Sequence, residues 1–111
     1  MQTSKIIDFI KERNWEQFHT PKNLLIAIGA EVGELIECFQ WKTDTEIAGM
    51  IALGETQDAA DEIADIYMYL VSLCNSMNID LDQAVESKIE KNRTKYPIDK
   101  SFGSAKKYTE L

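Results

Sequence analysis

Apolar residues recur three and four positions apart along most of the chain, and no stretch alternates strictly enough to read as a strand. That period predicts helices. The first runs from Ser4 to about Arg13, with Ile6, Ile7, Phe9 and Ile10 toward one side. A second opens at Thr20, a good N-cap, followed by Pro21, whose fixed φ and missing N–H suit the first helical position; it is expected to reach about Trp41. Residues 43–54 read as a connector with one short helical turn around Ile47 to Leu53. A third long helix spans about Thr56 to Met77, carrying Ala60, Ile63, Ala64, Tyr67, Leu70, Val71 and Cys74 at helical spacing. The fourth opens at Asp80, with Gln83 three residues on as in a capping box, and stops at Tyr96-Pro97. The tail, IDKSFGSAKKYTEL, reads as polar and irregular. The expected fold is all-α: one domain over residues 1–111, a compact bundle of four main helices plus a short connector helix.

The second helix is apolar around most of its circumference, since Leu24, Leu25, Ile28, Val32, Leu35, Ile36 and Phe39 cover more than one stripe. A chain of 111 residues has few other elements to cover it. Completion of the core by homo-oligomerisation is therefore expected.

Charge narrows the partners. Nineteen acidic against 12 basic residues give a net charge of −7, which argues against a nucleic-acid polymer, a ligand that needs a basic face. Small anionic substrates stay open, because a bound cation reverses the local sign. Cys38 and Cys74 sit in apolar patterns without metal-type spacing and read as buried thiols of a reducing compartment. No apolar run approaches the ~20 residues that span a bilayer. The opening MQTSKIIDFIKERN becomes charged before a signal-type core is complete. A soluble, cytoplasmic protein without a membrane partner is expected.

The candidate chemistry lies in two acidic stripes. Glu31 and Glu34 stand one turn apart on the second helix, in the series Ala27, Glu31, Glu34, Cys38, Trp41; the third helix carries Asp58, Glu62, Asp65 and Tyr69. A solvated acidic face is one explanation. The other begins from the apolar residues around these acids, which force the two helices to pack and the carboxylates to meet. Two carboxylates ~4 Å apart repel by about 4 kcal/mol at an effective dielectric of 20. No basic residue stands at i+4 from Glu31, Glu34, Glu62 or Asp65; Leu35, Cys38, Ile66 and Tyr69 are there instead. A divalent cation is the simplest remedy, and an all-oxygen donor set suits Mg²⁺, with Mn²⁺ the next choice. A di-iron centre would need two Glu-x-x-His pairs, and the single histidine, His19 after Glu16, supplies one.

Two further clusters have double readings. Lys88, Asn92, Lys95 and Tyr96 share one face of the fourth helix, flanked by Lys91 and Arg93. They either hold phosphate oxygens or place cations favourably at a helix C-terminus. Trp15, Phe18 and His19, with Trp41, either sandwich a planar base or form a lid over the bundle.

Taken together, EVGE at 31–34, EIAD at 62–65 and KNRTKYP at 91–97 resemble the MazG-like nucleoside triphosphate pyrophosphohydrolases. The segments RNWEQFHTPKNL, EVGELIECFQW, DEIADIYMYL and GSAKKYTEL are similar to their dCTP pyrophosphatase subgroup. The resemblance implies an all-α, Mg²⁺-dependent dimer or tetramer that converts a nucleoside triphosphate, dCTP or a related cytosine deoxynucleotide, to the monophosphate and pyrophosphate. By matched position it implies Glu31, Glu34, Glu62 and Asp65 as metal ligands. It implies Tyr69, Lys88, Asn92, Arg93, Lys95 and Tyr96 as triphosphate contacts, and Trp15, His19 and Trp41 as the base pocket. On the first helix Ile6 and Ile10 supply no group that reads a base. Glu34 is the acid expected to take a proton from the attacking water. The competing reading is a non-catalytic acidic helical interaction module, indifferent to EDTA.

Overall fold

A computed structural model describes residues 2–111, and these divide into two compact units, the first ending at Asn78 and the second running Ile79–Leu111. The described residues form helices and turns and no strand, in agreement with the all-α expectation.

The first unit holds α1 (Gln2–Glu12), α2 (Pro21–Glu37), α3 (Asp44–Ala52) and α4 (Gln57–Ser76). Its packing is dominated by α2 against α4, with α1 laid on α4. Ile6 and Ile10, one turn apart on α1, close on Val71, and Met68 packs against the trio. Leu24 is the largest fully buried side chain, at 1% exposure. Leu24→Ala is therefore expected to cost about 2–5 kcal/mol, measured by chemical denaturation, because a site so tightly enclosed cannot collapse onto the void.

Local chemistry sets where each helix begins and ends. Asn14 adopts a left-handed φ of 55°, and the N–H groups of Asn14 and Trp15 return to the carbonyls of Lys11 and Ile10 at 3.0 and 3.1 Å. This reversal closes α1 and turns Trp15 back edge-on to Phe9, with ring centroids 5.8 Å apart. Thr20 caps α2 as expected, accepting from the Asn23 N–H at 3.3 Å, with Pro21 at the first position.

Two expectations need correction here. The second helix ends at Glu37, four residues before Trp41, and residues beyond it tighten into i→i+3 bonds such as Phe39 N–H to Ile36 C=O at 3.0 Å. A new helix starts downstream. Thr43 takes an extended backbone to cap the next helix, accepting from Glu46 N–H at 3.1 Å while the Glu46 carboxylate accepts from Thr43 N–H at 3.4 Å. The supposed connector is thus a full nine-residue helix, α3, closed by Gly54 at φ 71°.

In the second unit, α5 (Leu81–Lys95) starts at Asp80, which accepts from Gln83 N–H at 3.1 Å. Pro97 opens the short α6 (Ile98–Ser101), and Tyr108–Glu110 form a 3₁₀ turn, so the tail is more ordered than its polarity suggested. Tyr108 sits edge-on to Tyr96 at 6.0 Å, and the Lys95 ammonium lies 4.8 Å from the Tyr108 ring centre. Both thiols are free and half-buried. Among the described residues no helix is long and apolar enough to cross a membrane.

Candidate active site

The i, i+3 spacing that put two acids on one face of each helix acquires its consequence when α2 packs on α4. Glu31 from α2 and Glu62 and Asp65 from α4 each present a carboxylate oxygen within 4.8 Å of the others. That separation is about twice a hard-cation–oxygen bond of ~2.1–2.5 Å. Glu34, one turn after Glu31, touches the same group: its carboxyl is held above the usual range by a hydrogen bond with Glu62, by repulsion from Glu62 and by partial burial. Glu62 is raised too, through a hydrogen bond with Glu31 and then burial. Carboxyls that must share protons are carboxyls short of positive charge.

No side chain supplies that charge. The described residues contain two ion pairs, Arg13–Glu12 at 3.6 Å and Arg93–Glu90 at 2.7 Å, and neither involves these acids. Glu31 Oε2 and Glu62 Oε2 are buried with no hydrogen-bond partner. Two orphaned anionic oxygens in an all-oxygen cluster fit a hard divalent cation, and Glu31, Glu34, Glu62 and Asp65 are the residues that would hold it.

Beside the acids lies a pocket of about 300 Å³ whose lining includes Phe9, Trp15, His19, Asp65 and Tyr69. Asp65 therefore belongs to both. The Schellman-type reversal at Asn14 delivers Trp15, and the 3₁₀ turn Glu16–Phe18 brings His19 to 6.3 Å from the Tyr69 ring. Burial, and then the charges of Glu31, Asp65 and Glu34, push the Tyr69 phenol upward, so it keeps its proton and remains a donor. The Nδ1 atom of His19 is buried and unpartnered.

Of the expected site residues, then, the first unit brings together Glu31, Glu34, Glu62, Asp65, Tyr69, Trp15 and His19. Trp41 stands 87% exposed past the end of α2 and is not among the residues lining that pocket. Lys88, Asn92, Arg93, Lys95 and Tyr96 lie on or at the end of α5 in the second unit, where Arg93 is already paired with Glu90. Phe9, Met68 and Ser72 also line the pocket and were not anticipated. Ser72 was within reach, because the stripe Asp58, Glu62, Asp65, Tyr69 continues to it at the next step of three. Phe9 carried no signal of its own, since its place depends on the turn at Asn14.

Known proteins match this chain over most of its length. dCTP pyrophosphatase 1 of Mus musculus is 52% identical over 106 residues, and that of Homo sapiens 48% identical over the same length. Each match covers 94% of this chain and 62% of the relative, so the chain spans less than two thirds of the curated relatives' length. A pyrophosphatase crystal structure from Archaeoglobus fulgidus superposes with a TM-score of 0.76 at 38% identity, covering 85% of this chain and 87% of the other. Residues 26–111, which include all four acids and the whole of α5, match the MazG-like family. With the fold and the sequence agreeing over most of its length, this chain belongs to the MazG-like family.

Proposed function

We propose that the chain hydrolyses a nucleoside triphosphate, dCTP or a related cytosine deoxynucleotide, to the monophosphate and pyrophosphate, in control or cleansing of the nucleotide pool in the cytoplasm. The observation that carries this reading is the junction at Asp65, where a cluster of four acids with orphaned oxygens adjoins an aromatic pocket. A triphosphate needs the first and a base needs the second. The names of the relatives support the same substrate class.

Glu31, Glu34, Glu62 and Asp65 hold the divalent cation, Mg²⁺ or Mn²⁺. When bound, the cation polarises phosphoryl oxygens and neutralises charge on the departing pyrophosphate. Glu34 accepts the proton of the attacking water. Tyr69 donates from its phenol to triphosphate oxygens, and Trp15 and His19 hold the base against the wall formed with Phe9. Lys88, Asn92, Arg93, Lys95 and Tyr96 supply donors to the remaining phosphate charge. Trp41 is proposed for the base pocket on the family resemblance alone.

A second copy also answers the exposed apolar surface. Leu25 is 57% and Ile26 64% exposed on α2, and a groove lined by Leu35, Ile36, Phe39, Ala59 and Ile63 lies between α2 and α4. Water-facing side chains of this kind mark a surface that a partner covers. Sedimentation velocity at micromolar concentration is expected to give a dimer or tetramer; a stable monomer would remove this part of the reading.

The deciding assay is pyrophosphate release from a panel of deoxy- and ribonucleoside triphosphates with Mg²⁺. Release from dCTP above the other nucleotides, abolished by EDTA, is expected. No release from any nucleotide, with stability indifferent to EDTA, would make the chain a non-catalytic acidic module.

A further inference from the structure

We propose that a small polar recess behind the aromatic pocket reads the edge of the base and selects an amino group over a carbonyl, with Glu16 and Asn75 as its principal determinants. The inference rests on the nucleotide reading above and names the residues that set its base preference. The recess is a half-open depression of about 140 Å³, with Glu16, Asn75 and Ser76 exposed at its rim and Ser72 buried, and it shares Ile10, His19 and Ser72 with the aromatic pocket as a common wall. It is about half the volume of the aromatic pocket, room for one edge of a ring.

Its chemistry is unlike that of the pocket in front. Glu16, Ser72, Asn75 and Ser76 face it. The hydroxyl of Ser72 donates to Met68 C=O at 3.0 Å and that of Ser76 to Leu73 C=O at 2.7 Å, so both oxygens are left as acceptors. The Glu16 carboxylate offers acceptor oxygens. Asn75 offers an amide with both a donor and an acceptor, and the buried Nδ1 of His19 on the shared wall has no partner. An acceptor-rich recess with one amide donor complements an exocyclic amino group next to a ring nitrogen or carbonyl. It opposes a base that presents a carbonyl in place of the amino group, because two acceptors then meet with no proton between them.

The order of groups along α4 matches the order of parts in a nucleotide. Glu62 and Asp65 belong to the acid cluster, Tyr69 to the aromatic pocket, and Ser72 and Ser76 to the recess. At 1.5 Å per residue, Ser72 lies ~10 Å along the axis from Asp65. A triphosphate at one end of this face sets the sugar and ring along it and the far edge of the ring toward the recess. Base selection thus comes from the C-terminal half of α4 and from Glu16, and the first helix, which contributes Ile7 and Ile10 there, need supply no polar group.

Product binding tests this without depending on turnover. Affinities for dCMP and dUMP are measured by titration calorimetry for the wild type and for Glu16→Gln, Asn75→Ala and the double variant, with circular dichroism to verify folding. The wild type is expected to favour dCMP at least ~10-fold. The ratio should fall to threefold or less in the double variant, with the loss falling on dCMP. Failure of the double variant to fold passes the question to the single variants, each of which is expected to lower the ratio. A wild type that binds both equally, or variants that keep the full ratio, would overturn the assignment. Absence of pyrophosphate release alongside a retained dCMP preference would defeat the hydrolytic reading and leave this one standing.

Discussion

Replacing Glu62 with Gln is expected to lower kcat/KM for pyrophosphate release by at least ~10³-fold while leaving helical content unchanged. Glu62 is the hub of the acid cluster, in contact with Glu31 and Glu34 and carrying one of the two orphaned oxygens. The amide is the same size but neutral, and it binds a hard cation far less well than a carboxylate. It also gives Glu31 and Glu34 a donor, so the metal-free variant should melt no lower than the wild type. Loss of activity together with gain of stability is the signature of a site in which charge is held for a cation rather than for the fold. Asp65→Asn should behave alike. Asp58→Asn, one turn upstream on the same stripe, is the comparison that keeps its activity. Near-wild-type turnover in both Glu62→Gln and Asp65→Asn would remove the metal assignment.

Magnesium should stabilise the protein, and the effect should grow as pH rises. Glu34 and Glu62 both have carboxyls raised above their usual range in the folded state, Glu34 chiefly by Glu62 and Glu62 chiefly by Glu31 and then burial. A raised acid binds its proton more tightly folded than unfolded, so the cluster costs nothing below the ordinary carboxyl pKa of about 4.3. The penalty appears as pH climbs above that value and is complete once both groups are ionised. In EDTA the melting temperature of the wild type is therefore expected to fall relative to Glu62→Gln between pH 5 and pH 7.5. Saturating Mg²⁺ should abolish the gap at pH 7.5 and do little at pH 5, where protons compete for the same oxygens. Ligand at a hundred times its Kd contributes about 2.7 kcal/mol, which in a domain of this size shifts melting by well over 5 °C. Identical melting with EDTA and Mg²⁺ at pH 7.5, or a wild type that gains on Glu62→Gln as pH rises, would contradict the arrangement.

Much of this was legible because it is local. The Thr20-Pro21 start, the Asp80 cap and the stop at Tyr96-Pro97 each depend on residues within one turn, and each stands where expected. The misreadings were local too. Thr43 and Glu46 form a capping box that makes α3 a helix in its own right, and α2 ends at Glu37, short of Trp41. Asn14 is a residue type that tolerates the left-handed region, but that its turn places Trp15 on Phe9 was not legible from its type.

The amino-acid order alone settled that Glu31 lies beside Glu34 and Glu62 beside Asp65, since 3.6 residues per turn leaves no other outcome. It could not settle that the two pairs face each other, or that Trp15 and His19 reach Asp65. Those distances join elements far apart in the chain, and they are set by how Leu24, Ala59 and Val71 fill the space among α1, α2 and α4. A helix carries its own neighbours with it; which face it turns toward another helix is decided only when side chains pack.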